Sequence, residues 1–510
     1  MQRIELRHIN RSAGNPRALL AIAATWVFVL MGAGFWVLVD NDATNPFKEF
    51  YLLPWVALTG IVVVAPAAYL FYKGQFDLFH PLIFAAWCYI LPCLVFAGVI
   101  LAAEWSQPYF LVFIQDPEYT LPLTMVYIAI GFAGLTIGYA VPVGKFFGNA
   151  IERRLPKWEW SLGHTWIAGY LLIIAGTLVN IIGFVNGLLG FQRFDQVEVF
   201  DGLIFFLLIM FFQGFFLLWY ALFKTPEKDS SYLVTLLILI LMVPLRMAIM
   251  GNRGTFFNCM LPIAFAYIVS GKKITVKHGF IFAGLLLISV SVGVVYGTSF
   301  RHVKGSESRL SAGDYIGQIG ATFEYIWDKD FTIILEDGGI ALADRLENLS
   351  SLAVVVSSYE KLEAYEESYG LSGNILRDAY TAFIPRFFWN DKPLTSDAHA
   401  YSDLYFNYAD NSFAITPFGD LLRNFGPIGI PIGMALIGLF LRTVYVGLYT
   451  TKLGYQWRAV SYYLLMTTIS YEAFYATLFP SIVRVAAVLA VTLYLSNLIS
   501  QRAGNWKFIK

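Results

Sequence analysis

The side chains best suited to chemistry in this sequence are arginines at the ends of long apolar segments. In residues 245–254, Arg246 and Arg253 are seven positions apart and share one face if the helix continues. Two glycines flank Asn252 and Arg253, and they permit a tight turn with close approach of the backbone to an anion. A guanidinium donates two hydrogen bonds to a phosphate at once. The stretch therefore predicts a phosphate-binding site, with arginines that extend to lipid headgroups as the alternative.

A second set of ionisable residues follows nearer the C-terminus. Asp420 and Arg423 are three positions apart, a spacing that favours an ion pair on a helix. Glu472 falls inside a later apolar segment, and Arg484 lies near the end of the next one. An ionisable residue within a membrane span marks a functional site by default. The alternative for Glu472 is a structural pair with an arginine.

Composition excludes a soluble globular protein. The chain is 58% apolar and 14% charged, with a mean hydropathy of +0.62. Its formal net charge is +0, so no nucleic-acid partner is indicated. The three cysteines, Cys88, Cys93 and Cys259, fall in apolar runs without metal or disulfide spacing.

Apolar blocks of about 18 to 25 residues, the length of a membrane-spanning helix, recur along the chain. They predict an all-α polytopic membrane protein with about twelve transmembrane helices and one large polar loop. We expect nine spans in residues 1–299, the loop in 300–416, and three spans with a tail in 417–510. The predicted spans are near 18–39, 50–72, 79–103, 120–143, 164–185, 202–223, 231–250, 254–270, 279–299, 421–449, 458–478 and 482–500.

Basic residues are unequally distributed between alternate loops, which predicts the orientation. Lysines and arginines are concentrated in the N-terminal segment and in the loops after spans four, six, eight and ten. The positive-inside rule therefore places both termini in the cytoplasm and residues 300–416 on the outer side. The first apolar run follows a basic N-terminus and lacks a small-residue cleavage site, so we interpret it as a span.

The loop of residues 300–416 is expected to be a structured cap over a site at the membrane face. It is rich in aromatic residues, which argues against disorder. Apolar residues at helical spacing predict an amphipathic helix near 312–328, and a second helical run should cover 339–364. Residues 370–373 should break it, and 384–416 should be largely irregular. The loop helices are expected either to lie on the membrane surface or to pack together as a small domain.

Several short motifs follow one another along roughly residues 240–440. They are Gly251-Asn252-Arg253-Gly254, Asp344-Arg345-Leu346, Ile384-Pro385-Arg386, Trp389-Asn390-Asp391-Lys392-Pro393 and Asn424-Phe425-Gly426. In this order and topology they resemble the oligosaccharide repeat-unit polymerase (Wzy-type) family of bacterial polysaccharide assembly. The first 230 residues are similar to that family only in being a series of spans.

The resemblance implies a membrane glycosyltransferase in the bacterial inner membrane. Such enzymes join repeat units carried on undecaprenyl pyrophosphate at the outer face, without nucleotide sugars. A chain-length regulator and a flippase of the same pathway are then expected partners. Cations preorganised around the leaving pyrophosphate can be arginines, so no metal and no other cofactor is expected.

Residue roles follow from the same resemblance. An acidic side chain would take the proton from the attacking sugar hydroxyl. The aromatics Trp389, Tyr401 and Tyr405 could stack on sugar rings, although most aromatic residues of the loop are expected to be in its core. Asp420 and Glu472 are the candidate bases. The residues expected to contact pyrophosphate are Arg246, Arg253, Arg386 and Arg423, with Arg301 and Arg345 as further candidates.

Three alternatives stay open. Asp40-Asn41-Asp42 is similar to the acidic pair in the first outer loop of lipid-phosphate-sugar glycosyltransferases, which would require a divalent cation. A lipid-linked oligosaccharide flippase or transporter is the second alternative, although neither an inverted repeat nor paired broken helices are evident. An O-antigen ligase, with the same chemistry and a different acceptor, is the third.

Overall fold

The structure is a computed structural model in which most of the chain between residues 50 and 504 is described. The described residues are 50–190, 201–250, 254–272, 275–304, 311–384, 388–389, 392–393, 395–409, 413, 415–450 and 455–504. This part of the chain is 81% helix and contains no strand. The predicted all-α class is therefore confirmed.

Nine helices in the described residues are long and apolar enough to cross a membrane. They are α1 (Leu53–Tyr72), α2 (Pro81–Ala102), α3 (Pro117–Ala140), α5 (Leu162–Val185), α6 (Asp201–Lys224), α7 (Ser230–Met250), α9 (Val276–Lys304), α15 (Thr416–Tyr449) and α17 (Tyr475–Arg502). Three shorter helices lie between these long ones: α4 (Pro142–Arg154), the apolar α8 (Thr255–Val269) and α16 (Gln456–Thr467).

The count of twelve spans stays a prediction. The first predicted span, near 18–39, lies outside the described residues, and the eighth corresponds to the 15-residue helix α8. The eleventh, near 458–478, is wrong as a single helix, because α16 ends at Thr467 and α17 begins at Tyr475. Both Thr467 and Thr468 turn their hydroxyls back to the carbonyl of Leu464. Such local hydrogen bonds compete with the continuing helical ladder.

Five helices lie in the described part of the polar loop. They are α10 (Ala312–Asp328), α11 (Phe331–Leu346), α12 (Leu349–Glu366), α13 (Asn374–Thr381) and α14 (Ala398–Phe406). The first confirms the helix predicted near 312–328, and the break at 370–373 is also confirmed. The run predicted over 339–364 is two helices that meet at residues 347–348.

Helix α14 lies within 384–416, and the described residues of 384–415 outside this helix are irregular, as predicted. The helix itself was not predicted. Asp397 caps the helix, since its Oδ1 accepts hydrogen bonds from the backbone N–H groups of His399 at 2.9 Å and Ala400 at 3.2 Å. Asn407 ends the helix in the left-handed conformation, with φ of 52°. The buried residues Tyr401 and Tyr405 lie on one face of α14 and provide its packing.

The loop helices pack mainly on the long apolar helices. Leu349, Leu352 and Val355 of α12 are buried in the main hydrophobic core, where α12 contacts α3 and α15. Tyr315 of α10 packs on Phe300 of α9 with 5.3 Å between the ring centroids. Helix α12 therefore shares the main core with the apolar helices, and α10 packs with α9 in a second cluster, which argues against a separate domain made of loop helices alone. The position of the loop helices at the membrane surface stays a prediction.

Helices α3 and α15 approach each other closely through small residues. A Cβ atom at Gly138 would lie 2.0 Å from the carbonyl oxygen of Ala435, and one at Gly438 would lie 2.1 Å from that of Leu135. Small residues at such positions let two backbones meet in a membrane protein. This contact holds the part of α15 that follows residue 426 against α3.

Helix α15 is interrupted at Gly426, which has φ of 68° and ψ of −171°. Proline at 427 disfavours the helical conformation for the residue before it, and the observed conformation is essentially restricted to glycine. The interruption separates residues 416–425 from the longer segment that follows. Asp420 and Arg423 therefore lie on a short, buried half-helix.

We expect Gly138→Ala to destabilise the protein, because its new methyl group would overlap the backbone of α15. Overpacking of this kind costs about 1–3 kcal/mol. Thermal unfolding of the purified protein in detergent should show a lower midpoint. Gly284→Ala is the matched control, since Gly284 is also helical and nothing lies within 4 Å of the added Cβ. An equal midpoint for the two variants would contradict the close contact of α3 and α15.

Candidate functional site

Two of the eight predicted site residues, Arg253 and Arg386, lie outside the described residues. The structure distributes the other six over three places. Asp420 and Arg423 are together in a buried cluster, Arg345 and Glu472 form an exposed ion pair with Arg301 nearby, and Arg246 is separate from both.

The first place is enclosed, and we name it the Arg423 cluster: Glu366, Asn374, Tyr405, Asp420 and Arg423. The Arg423 side chain is fully buried. Its Nη2 donates to Asp420 Oδ1 at 2.7 Å, which confirms the pair predicted from the sequence. Its Nη1 lies 3.0 Å from Glu366 Oε1 and donates to the carbonyl of Leu371 at 3.2 Å. The charge of this guanidinium is thus shared between two buried carboxylates.

Asp420 joins three parts of the protein. Besides Arg423, its Oδ1 accepts a hydrogen bond from Asn374 Nδ2 at 3.4 Å. Its Oδ2 accepts one from the backbone N–H of Ala476 at 2.9 Å, in the first turn of α17. A carboxylate is favourable at a helix N-terminus. Because Asp420 is fully buried and both its oxygens are engaged, the geometry favours a structural role over proton transfer in this conformation.

Two aromatic residues of α14 complete the wall of the Arg423 cluster. Tyr405 donates its hydroxyl to Glu366 Oε1 at 2.8 Å, and burial, followed by the charge of Glu366, raises the pKa of Tyr405. Tyr401 packs on it with 4.9 Å between the ring centroids. Both rings are buried. The expectation that Tyr401 and Tyr405 stack on sugars is therefore wrong in this structure, whereas Trp389 is partly exposed.

The second place is accessible from outside. Arg345, at the end of α11, forms an ion pair through Nη2 with Glu472 Oε2. The Arg345 side chain is 50% exposed and that of Glu472 is 22% exposed. Glu472 belongs to the non-helical connection between α16 and α17, which corrects its predicted position inside a span. In the alternative in which Glu472 forms a structural ion pair, its arginine partner is therefore Arg345, which belongs to the loop.

The surroundings of this pair add a second cation and a thiol. Arg301, near the end of α9, is close enough to Arg345 for their positive charges to repel. Cys93 of α2 donates its Sγ–H to Glu472 Oε1 at 3.1 Å. An accessible guanidinium beside an accessible carboxylate can bind an anion with the first group and accept a proton with the second.

Arg246 occupies the third place, within α7. Its Nη1 donates to Asn180 Oδ1 at 2.8 Å, and its guanidinium lies 4.5 Å from the ring centroid of Phe211 and 4.8 Å from that of Phe212. Among the described residues no carboxylate forms an ion pair with it. A cation stabilised by an amide and two rings can remain in an apolar region without a carboxylate.

Glu347, which follows Arg345 by two positions, is buried between α11 and α12. Its carboxylate accepts hydrogen bonds from the backbone N–H of Ser350 at 2.8 Å and from the Ser350 hydroxyl. Burial raises the pKa of Glu347 to about 7, and the hydrogen bonds from Ser350 only partly oppose that shift. This residue supports the start of α12 and is too enclosed to meet a substrate.

Comparisons with protein-family models, with curated proteins and with solved structures gave no match for this chain. The function of this chain must therefore be inferred from its own residues and their geometry.

The residues that sequence reasoning missed are acidic side chains buried by the loop. Glu366 stands in residues 359–367 among several other glutamates, and nothing in that stretch distinguishes it from its exposed neighbours. Glu347 carried a weak signal, because a glutamate just before a helical run can cap it. Asp40 and Asp42, the acidic pair of the metal-dependent alternative, lie outside the described residues.

We expect Arg423→Gln to destabilise the protein strongly, because it leaves Glu366 and Asp420 buried without their counter-charge. Removing one partner of a buried ion pair costs about 3–5 kcal/mol. The thermal midpoint and the resistance of the loop to protease should both decrease. Arg154→Gln is the control, since Arg154 is exposed and has no described ion-pair partner. A stable Arg423→Gln protein would contradict the structural role of the cluster.

The raised pKa of Glu347 predicts a specific pH dependence of stability. The folded protein retains the proton up to about pH 7, whereas the unfolded chain releases it near 4.5, the ordinary value. The contribution of protonated Glu347 to the free energy of unfolding is therefore fully present below pH 4.5 and is lost as the pH rises through 7. It is on the order of 3 kcal/mol. Thermal midpoints between pH 5 and 8 should decrease less in Glu347→Gln than in the wild type.

The control for this experiment is Glu363→Gln, which changes an exposed glutamate of α12. Its midpoints should follow those of the wild type at every pH. Parallel curves for the wild type and Glu347→Gln would show that Glu347 does not titrate in this range.

Proposed function

We propose that this chain is a membrane glycosyltransferase that polymerises oligosaccharide repeat units carried on undecaprenyl pyrophosphate. The observation that carries the proposal is the exposed Arg345–Glu472 pair beside the loop helices. It brings together, on accessible side chains, the two kinds of group that this reaction requires. The order of the motifs between residues 240 and 440 supports the same function.

In the proposed reaction, a sugar hydroxyl of one lipid-linked unit attacks the anomeric carbon of the other. The bond from that carbon to the pyrophosphate oxygen breaks, and a glycosidic bond forms. Glu472 accepts the proton of the attacking hydroxyl. The departing lipid pyrophosphate takes the bonding electron pair, and Arg345 stabilises its negative charge, with Arg301 alongside.

The ion pair gives this mechanism an order of events. Without substrate, Arg345 and Glu472 neutralise each other. A pyrophosphate group that binds Arg345 with two parallel hydrogen bonds competes with the carboxylate for the guanidinium. One oxygen of Glu472 then becomes free to accept a proton when the donor is bound. Arg246, Arg253 and Arg386 remain proposed pyrophosphate contacts. Arg423 and Asp420, which the sequence suggested as a further contact and a second base, are buried together, and in this conformation their geometry favours a structural role.

The proposal includes an outward-facing loop in the bacterial inner membrane, with both termini in the cytoplasm. The distribution of basic residues supports this orientation. On that side of the membrane no nucleotide sugar is present, so a lipid-linked donor is the appropriate substrate. A chain-length regulator and a flippase are the partners that we propose.

The test is polymer formation by site variants in a strain that lacks the gene, at equal amounts of inserted protein. Arg345→Gln and Glu472→Gln should each lower polymer formation roughly 100-fold or more, the usual effect of removing one preorganised charge-stabilising group. Arg345→Lys should recover only part of the loss, because lysine lacks the paired donors. Lys329→Gln and Glu363→Gln, which change charges elsewhere in the loop, are the matched controls.

A charge exchange separates catalysis from structure. The double variant Arg345→Glu with Glu472→Arg restores an ion pair, so its thermal stability should approach that of the wild type while polymer formation stays low. Polymerisation at the wild-type rate in this variant would show that the pair is only structural. Single repeat units on the final carrier indicate loss of a polymerase, whereas loss of all exported units would indicate a transporter.

A further inference from the structure

A groove of about 1170 Å³ opens between α1, α3, α4 and the last turns of α15. This volume exceeds the range of roughly 300–1,000 Å³ that is typical of small-molecule sites. The groove lies at the end of α15 that is remote from the Arg423 cluster. Sixteen positions separate Gly426, where α15 is interrupted, from Arg442, which corresponds to roughly 24 Å along the later helical segment.

The walls of the groove are apolar and open to the side of the bundle. Ile61 and Tyr69 of α1 are 69% and 61% exposed, and Ile137 of α3 is 63% exposed. These residues belong to helices that are long and apolar enough to cross a membrane. Their exposed side chains would therefore contact lipid tails, so a hydrocarbon chain can enter the groove from the bilayer without crossing water.

One end of the groove carries two cationic side chains, Arg442 and Lys145. Arg442 is held in position by Tyr139, since its Nη1 donates to the tyrosine hydroxyl at 3.2 Å and its guanidinium lies 4.9 Å from the ring centroid. Tyr139 in turn shares a hydrogen bond of 2.9 Å with His80 Nε2. Gly144, next to Lys145, fits against the Arg442 side chain, where an added Cβ would lie 2.8 Å from Arg442 Cβ.

No aspartate or glutamate lines the groove among the described residues. Neither Arg442 nor Lys145 forms an ion pair in that part of the chain. The polar end of the groove therefore complements negative charge. A zwitterionic headgroup would bring an ammonium group to this end, where it would meet two cations and no carboxylate.

We propose that this groove binds an anionic phospholipid. Its phosphate contacts Arg442 and Lys145, and an acyl chain lies along α1 and α3. The orientation predicted from basic residues places this site in the cytoplasmic leaflet, at the opposite membrane face from the Arg345–Glu472 pair. The inference does not rest on the proposed function, because it uses other residues and another ligand.

The experiment measures lipid binding to the purified full-length protein by native mass spectrometry. Phosphatidylglycerol and phosphatidylcholine with the same acyl chains are the probes. The wild type should bind phosphatidylglycerol at least about tenfold more tightly, the effect expected for one charge-assisted hydrogen bond. Lys145→Gln should remove most of that preference, and Lys145→Gln with Arg442→Gln should abolish it. Because Lys145 is exposed, the single variant tests the site without a risk to folding.

Two further variants separate charge from shape. Ala65→Trp narrows the groove on α1 without changing a charge, and it should weaken the binding of both lipids. Arg154→Gln removes an exposed cation of α4 that does not line the groove, and it should leave binding unchanged.

Three results would overturn the proposal. One is equal affinity of the wild type for the two lipids, and another is undiminished phosphatidylglycerol binding in the double variant. The third is complete displacement of phosphatidylglycerol by inorganic phosphate at the same concentration, which would show that the lipid chain contributes nothing and that the site binds a free anion.

Discussion

A guanidinium that is fully buried in a protein is costly unless polar or charged partners are buried with it. Arg423 has such partners in Glu366 from the loop and Asp420 from its own half-helix. Asp420 also binds the N-terminus of α17 through Ala476. One charge thus connects the loop to two membrane helices. The connection that carries Glu472 ends at that same N-terminus, so the position of the accessible ion pair depends on the buried cluster.

The two arginine–carboxylate pairs consist of similar side chains, but they differ in role because one is buried and the other is exposed. The pair of Arg423 and Asp420 is fully buried, and each side chain makes further hydrogen bonds inside the protein. The pair of Arg345 and Glu472 is half in solvent, where an ion pair contributes little to stability. Little free energy is then lost when a ligand replaces one partner. An exposed pair is thus poorly suited to hold a fold and well suited to exchange its partner for a substrate.

The sequence predicted features that depend on local pattern. The helix near 312–328 and the pair of Asp420 with Arg423 follow from helical spacing, and the long apolar helices follow from composition. The helical break before Glu472 was not predicted, although Thr467 and Thr468 lie beside it. The partner of Glu472 could not be predicted, because Arg345 is more than a hundred positions away. The burial of Glu366 was hidden for the same reason. The sequence of a helix does not show which of its acidic residues is buried, because that depends on a partner that is distant in the chain.

The interruption of α15 at Gly426 affects how this part of the chain is made. Residues 427–444 are apolar and about as long as the shortest transmembrane helix, so the insertion machinery can accept them alone. Residues 416–425 carry two charges, each of which costs about 2.5–3.5 kcal/mol at the centre of an inserting helix. We therefore expect this half-helix to fold into the bundle after insertion. Its last partner, Ala476, is synthesised later still, so the buried cluster closes only when α17 is in place.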